Sequence, residues 1–507
     1  MARPAPCPSP AADRAVRARL RFHHPYTARH PLRRGMSARS DDTRPQLEPP
    51  GPAGTPPPAE RRSPTPARRR PWPRVVGCAV LLAVAVGAGA VAVDGSRAGG
   101  GVPTAGVPRG GPGRANGAVP DLGVPALQAR LRAQPRDFGG WAALGLALVE
   151  QARTGGDPSR YPGAERALQR SLGLKPGNDQ ALAGRAALAA ARHGFADALT
   201  YADRALEANP YNERALCSRV DALVELGRYD EAARAADTAD TKRPGVPVFT
   251  RYAYVRELRG EVDSARRVLQ HALAAASTPG DVAYVATQLG RLSWNQGDYP
   301  AALRHFGRAL AADDAYLPAL EGRGRARAAS GDRDGAVGDL EEVVARAPLP
   351  GPLVALGELY EAGGEEAKAR EQYALVDAWT ALARSGGVEV DLDTALAAAD
   401  HGDREAALRA ARAEWDRRRT VHTAAALAWA LHVNGRDEEA LPYARRATAT
   451  GYRDASFLHH LGMIERAVGR EPDARRHLAA ALDLNPGFSP LGAREARTAL
   501  GDMGAAR

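Results

Sequence analysis

Beyond residue 120 the apolar positions come three and four apart, the spacing of one helix face, in runs of about a dozen residues that Gly or Pro interrupts. The stretch "AYVATQLGRLSWNQGDYPAALRHFGRALAADD" shows the pattern. Leu289, Gly290 and Ser293 fall on one stripe of a first helix, which Gly297 ends. A second helix starts near Tyr299 and sets Ala302, Phe306, Ala309 and Leu310 on one face. Gly297 suits a tight turn with positive φ, and small residues let two helices approach closely. The unit is therefore expected to be a helical hairpin.

The hairpin recurs. An Ala in the place of Ala302 falls at 164, 198, 232, 265, 302, 336, 369, 407, 440 and 474, so most steps are 33 or 34 residues. Pro176, Pro210 and Pro244 repeat at the same interval and close their units, because Pro cannot continue a helix. A period near 34 with helical content indicates stacked units, each burying its faces only against its neighbours. "PALQARLRAQP" and "SPLGAREARTALGD" read as the capping helices such a stack requires at its two ends.

Leu289, Gly290, Tyr299, Ala302, Phe306, Ala309 and Leu310 resemble the signature of the tetratricopeptide repeat family. So do Trp141, Leu144, Gly145, Ala164 and Pro176. Leu356, Gly357, Ala369 and Tyr373 match it too, as do Leu461, Gly462, Ala474, Leu478, Ala481, Leu482 and Pro486. The resemblance spans about Pro135 to Pro486. It implies an all-α fold, a right-handed α-solenoid of about ten antiparallel helix pairs over residues 121–501. It also implies a concave face, lined mainly by the first helix of each pair, that binds proteins or peptides. Two irregularities stand out. Pro135 to Pro176 is seven residues over the period, with the excess in "TGGDPSRY". "DAWTALARSGGVEVDLDTA" suggests a lengthened second helix after Ala369, and the repeat around Ala407 lacks the Leu–Gly pair.

Charge separates the remainder. The chain carries a net +10, but residues 1–74 hold 16 Arg against five acids, so the rest is near neutral. A nucleic-acid partner gains nothing from that balance. Residues 1–74 are rich in Pro and Arg and lack apolar periodicity, so a disordered tail is expected. "VVGCAVLLAVAVGAGAVAV", residues 75–93, has 19 residues without a charge, enough for one transmembrane helix. Six Arg between residues 61 and 74 precede it and only Arg97 follows closely. That asymmetry places the tail in the cytoplasm and the solenoid outside, anchored at the cell membrane. A cleaved export signal, with "AGA" at 88–90 as the cleavage site, is the alternative. Residues 94–120 read as a Gly/Pro linker.

The chemistry is sparse. No GxxxxGK, GxSxG or HExxH motif occurs, and the Gly-rich "GRGRARAASG" lies in register as a first helix. His459, His460 and Glu465 could ligate a metal, but Leu461 and Gly462 between them belong to the repeat signature. Cys7, Cys78 and Cys217 form no CxxC and no evident pair. No catalytic group, cofactor or metal is expected. The leading reading is a non-enzymatic scaffold. An enzyme-associated or divergent hydrolase subunit of an envelope complex, or a cytoplasmic regulator if residues 75–93 are not inserted, are the alternatives. The candidate binding stripe lies four and three residues apart on the first helices, beside the Leu–Gly stripe. It comprises Tyr254, Tyr284, Arg291, Trp294 and Arg325, then His422, Trp429, His432, His459 and Met463.

Overall fold

The computed structural model describes residues 123–505 apart from 156–157, 386–387 and 389. The expected tail, transmembrane segment and linker lie outside the described residues. Among the described residues there is no strand, and no helix is long and apolar enough to cross a membrane.

A lone helix, α1 (Val124–Ala133), leads. Ten helix pairs follow: α2 (Phe138–Gly155) with α3 (Tyr161–Leu174), α4 (Asp179–Ala191) with α5 (Phe195–Ala208), α6 (Glu213–Glu225) with α7 (Tyr229–Lys242), α8 (Val246–Leu258) with α9 (Val262–Ala275), α10 (Pro279–Asn295) with α11 (Tyr299–Ala312), α12 (Leu317–Ala329) with α13 (Arg333–Arg346), α14 (Pro350–Ala362) with α15 (Glu366–Ser385), α16 (Asp391–His401) with α17 (Arg404–Arg417), α18 (Val421–Val433) with α19 (Asp437–Thr448), and α20 (Ala455–Ala467) with α21 (Glu471–Leu484). A last helix, α22 (Pro490–Ala505), closes the array. We call the first member of each pair A and the second B.

The periodic Ala explain the pairing. All ten lie on B helices and none is more than 2% exposed. Four residues beyond Ala302, the bulky Phe306 enters the space left by the A-helix Gly. A Cβ on Gly290 would stand 2.6 Å from the Phe306 ring, and one on Gly322 of the next A helix 2.3 Å from it. The glycines of "GRGRARAASG" that face Phe306 and Leu340 are thus packing positions. Leu289, Ser293, Ala302, Phe306 and Ala309 are buried as the spacing implies, and Leu310 is half-buried. The seven extra residues near the N-terminus lengthen α2 and add a 3-10 turn at Pro158–Arg160. The lengthened second helix is α15, 20 residues long.

Contact between distant units lies beyond what the repeat period predicts. Gly227, Gly260 and Gly297, just past α6, α8 and α10, have φ of 73°, 75° and 73°. A Cβ on each would stand 2.4 Å from the carbonyl oxygen of Arg419, 2.4 Å from that of Gly451 and 2.6 Å from that of Leu484. The Tyr299 hydroxyl donates to Asn485 Oδ1 (2.6 Å) and accepts from the Gly487 amide (2.7 Å), while Asn485 Nδ2 donates to the Trp294 carbonyl (2.8 Å). The Val421 amide donates to the Tyr229 hydroxyl at 2.8 Å. Arg418 pairs with Glu225 and, on its own side, with Glu414. These contacts join residues 186 to 193 apart in the chain, about five and a half repeat units. The array therefore winds into a superhelix whose second winding rests on the first along a polar seam. The expectation that each unit packs only against its neighbours is corrected here. Tight winding brings the hairpin turns of one winding against the loops between units of the next.

The start of each B helix follows the seam. In the first winding the B helices begin with Tyr161, Phe195, Tyr229, Val262 and Tyr299; in the second, with Arg333, Glu366, Arg404, Asp437 and Glu471. The positive-φ hairpin glycines of the second winding, Gly331, Gly364, Gly435 and Gly469, have nothing within 4 Å of an added Cβ. Covered turns carry apolar or aromatic residues and open ones carry charge, as burial demands.

Candidate binding surface

The A helices carry the candidate stripe, and the structure divides it into two groups. On α8 and α10, the Arg291 guanidinium sits 5.4 Å from the centre of the Tyr254 ring and 3.3 Å from the Glu257 carboxylate. Glu257 also accepts from Asn295 Nδ2 at 3.0 Å. Tyr284 is buried on α10, while Tyr254 and Trp294 are half-buried. Arg291 keeps 37% of its side chain open. Two donors here, Arg291 Nε and the Trp294 indole N–H, are buried without an acceptor among the described residues. Arg325 on α12 is set apart. It bonds Glu321 at 3.0 Å and the Gly351 carbonyl at 3.1 Å.

The second group lies on α18 and α20. Trp429 is 5% exposed, donates its indole N–H to Asp400 Oδ1 at 2.5 Å and stacks on the His460 ring, centroids 4.1 Å apart. Its ring lies 4.9 Å from His432 and 5.6 Å from His459. His432 is held by Asp437. His459, 3% exposed, reaches Glu495 of α22 at 3.2 Å and the Phe488 ring at 5.5 Å. Met463 is half-buried on the next turn of α20. Burial drives the His460 imidazole well below the usual range, and raises the Asp400 carboxyl although the Trp429 bond opposes that.

His422 belongs to neither group. Its ring lies 5.6 Å from Tyr452 and 5.5 Å from Phe457. Burial lowers its pKa to about 4, with the positive charges of Arg418 and Arg291 adding to the effect. Arg291 of the first winding is thus close enough to act on a residue of the second.

The metal reading separates in space. Glu465 accepts from His477 Nδ1 at 2.6 Å, while His459 faces Glu495. Among the described residues no group of three or more His, Cys, Asp or Glu is placed to hold a metal ion. Cys217 is buried in α6, and burial pushes its thiol up to about 11.

The A and B helices carry a recognisable repeat. The family model for the tetratricopeptide repeat matches residues 181–247 and 287–349. These two stretches are tetratricopeptide repeats. No curated protein sequence matches the chain. Among solved structures, the array is similar to a tetratricopeptide repeat protein of Thermus thermophilus, at 22% identity, covering 36% of this chain and 98% of that one with a TM-score of 0.33. It is similar to PilF of Pseudomonas aeruginosa at 20% identity, covering 42% of this chain and 92% of that one with a TM-score of 0.33. The human IFIT1 dimer matches at 17% identity, 64% of this chain and 77% of that one, with a TM-score of 0.43. At these scores the likenesses carry nothing about what the array binds.

Several residues beside the stripe escape a reading of the sequence. Glu257 sits on an A helix, but Asp400 closes α16 and Tyr452 lies in the loop before α20. Glu257 has a signal, three residues beyond Tyr254 on the same stripe. Asp400 and Tyr452 have none, because loop and helix-end positions fall outside the helical period.

Proposed function

We propose that the array is a non-enzymatic scaffold that binds a protein or peptide along the inner stripe of α8 and α10, tethered by residues 75–93 to the outer side of the cell membrane. The observation that carries the binding reading is the set Tyr254, Arg291 and Trp294. Aromatic and Arg side chains are the usual anchors of an interface. Arg291 Nε and the Trp294 indole lack acceptors among the described residues, where buried polar groups ordinarily find one. Peptide carbonyls or a carboxylate supply such acceptors. The tether rests on the uncharged length of residues 75–93 and the Arg before it.

A photo-crosslinking residue at Tyr254, in the full chain in cells, tests the binding reading. A defined adduct that disappears with Arg291→Ala, while the same probe at exposed Thr200 gives none, supports it. An adduct indifferent to Arg291→Ala and Trp294→Ala overturns it. For the tether, protease added to intact, wall-stripped cells digests the region beyond residue 120. Protection of that region in sealed cells overturns the outward orientation.

A further inference from the structure

Three carboxylates of the second winding lack a cationic partner. Glu358 and Glu361 hold the places on α14 that Arg291 and Trp294 hold on α10, and Asp400 with His401 closes α16. Each carboxylate accepts from a neutral donor. Glu358 Oε2 takes the Ser489 hydroxyl at 3.0 Å, Glu361 Oε2 takes the Tyr373 hydroxyl at 3.0 Å, and Asp400 takes the Trp429 indole. Among the described residues no Arg or Lys forms an ion pair with any of the three. Arg325, one unit back on the stripe, is held by Glu321 and the Gly351 carbonyl instead. The His401 side chain, 7% exposed, stacks on the Tyr373 ring with centroids 4.0 Å apart. Its Nε2 stops 3.7 Å from Glu358 Oε1 and has no hydrogen-bond partner, and its Nδ1 stops 3.8 Å from Glu361 Oε2. A charged imidazole would draw a carboxylate to about 2.8 Å. His401 therefore stands beside the acids as a further acceptor, not as their counter-ion. Burial raises the Tyr373 hydroxyl, and Glu361, Glu358 and Asp400 all add to the rise, so one phenol feels all three charges.

We infer that this cluster is a cation site that takes an arginine side chain of a bound partner. Negative groups gathered on one inner wall focus a field that attracts positive charge, and the C-terminal end of α16 adds to it. The open acceptors are spread over two helices: Glu358 Oε1 and a carboxylate oxygen of Glu361 on α14, and His401 Nε2 on α16. A guanidinium presents five N–H donors in a fixed plane, whereas an ammonium presents three from one point and holds its water more strongly. Among the described residues no group of three ligands is placed for a metal ion. The site is reachable, since Glu361 keeps 40% of its side chain open and Asp400 is exposed. It lies two units along the stripe from the α8–α10 anchors and stands without them.

A capped peptide with one arginine next to photo-leucine, irradiated with the full chain in detergent micelles, tests it. Adducts should map to α14, α15 or α16. The same peptide with citrulline, which keeps the shape without the charge, should give none there. Glu358→Gln with Glu361→Gln should lower the yield about tenfold or more. Gln keeps an oxygen for Ser489 and for Tyr373, so helix content and melting should hold. If that pair destabilises the fold, Glu361→Gln alone, at the more open carboxylate, should still lower the yield. Arg291→Ala removes the α8–α10 anchor and should leave the yield unchanged, so the two sites fail separately. Three results overturn the inference: no adducts on these helices, equal labelling by the citrulline peptide, or a yield indifferent to both glutamate variants.

Discussion

Gly260 and Gly435 have nearly the same backbone angle, φ of 75° and 70°, in equivalent hairpin turns. Gly260 meets the Gly451 carbonyl across the seam, whereas Gly435 meets nothing. A left-handed alanine costs about 1–2 kcal/mol at either place. Gly260→Ala must also displace a backbone carbonyl, so it is expected to lose at least about 1 kcal/mol more than Gly435→Ala. Urea denaturation of the two variants measures the difference, and equal losses would mean that the windings do not touch in solution. Tyr299→Phe removes a hydroxyl that both donates and accepts across the same seam. It is expected to cost about 1 kcal/mol, and much less once Asn485→Ala is present. The glycine and the aromatic were legible as hairpin residues. Their seam role was not, because no short-range period connects residues so far apart in the chain. The sign was nonetheless present in the sequence: aromatic or aliphatic starts for the first five B helices, charged starts for the last five.

At the scale of elements, α6 and α18 carry groups whose ionisation opposes across the seam. Burial pushes Glu225 up to about 7 despite Arg418. Its contribution is therefore full below the usual carboxylate range near 4.3 and is lost as the pH rises through 7. His422 is neutral down to about 4 in the fold, and an unfolded His takes its proton near 6.5. Stability linked to His422 is therefore present above pH 6.5 and falls as the pH drops toward 4. Relative to the parent, His422→Gln should gain stability between pH 7 and 5, and Glu225→Gln should lose it over the same window. Denaturation midpoints at pH 5, 6, 7 and 8 read both slopes, and parallel curves for all three proteins would remove these groups from the balance. The lengthening of α15 was legible from the spacing after Ala369. Its purpose was not. Trp379, 1% exposed, fills a cluster with the first repeat, a contact that lies outside any repeat signature. Likewise the stripe positions on α10 and α18 were legible, but their degree of enclosure depends on how tightly the array winds.

For the whole molecule, the seam changes how a local lesion should spread. In an open stack, Ala302→Asp, which places a charge where the side chain is fully buried, loosens α10 and α11 first and then the pairs beside them. In the wound array Trp294 and Tyr299, on either side of that hairpin's turn, hold Asn485 and Gly487 directly. Loss of the hairpin leaves Asn485 Oδ1 and the Gly487 amide only their long mutual bond of 3.3 Å at the entrance to α22. Hydrogen exchange of the Ala302→Asp variant should therefore accelerate in two separate stretches, around α10–α12 and around the end of α21 with α22. The pairs at intermediate distance, α16 with α17 in particular, should keep their protection. Acceleration that decays evenly from residue 302 in both directions would return the array to a stack of neighbours. A single cooperative loss over all ten pairs would mean that the seam binds the two windings into one unfolding unit.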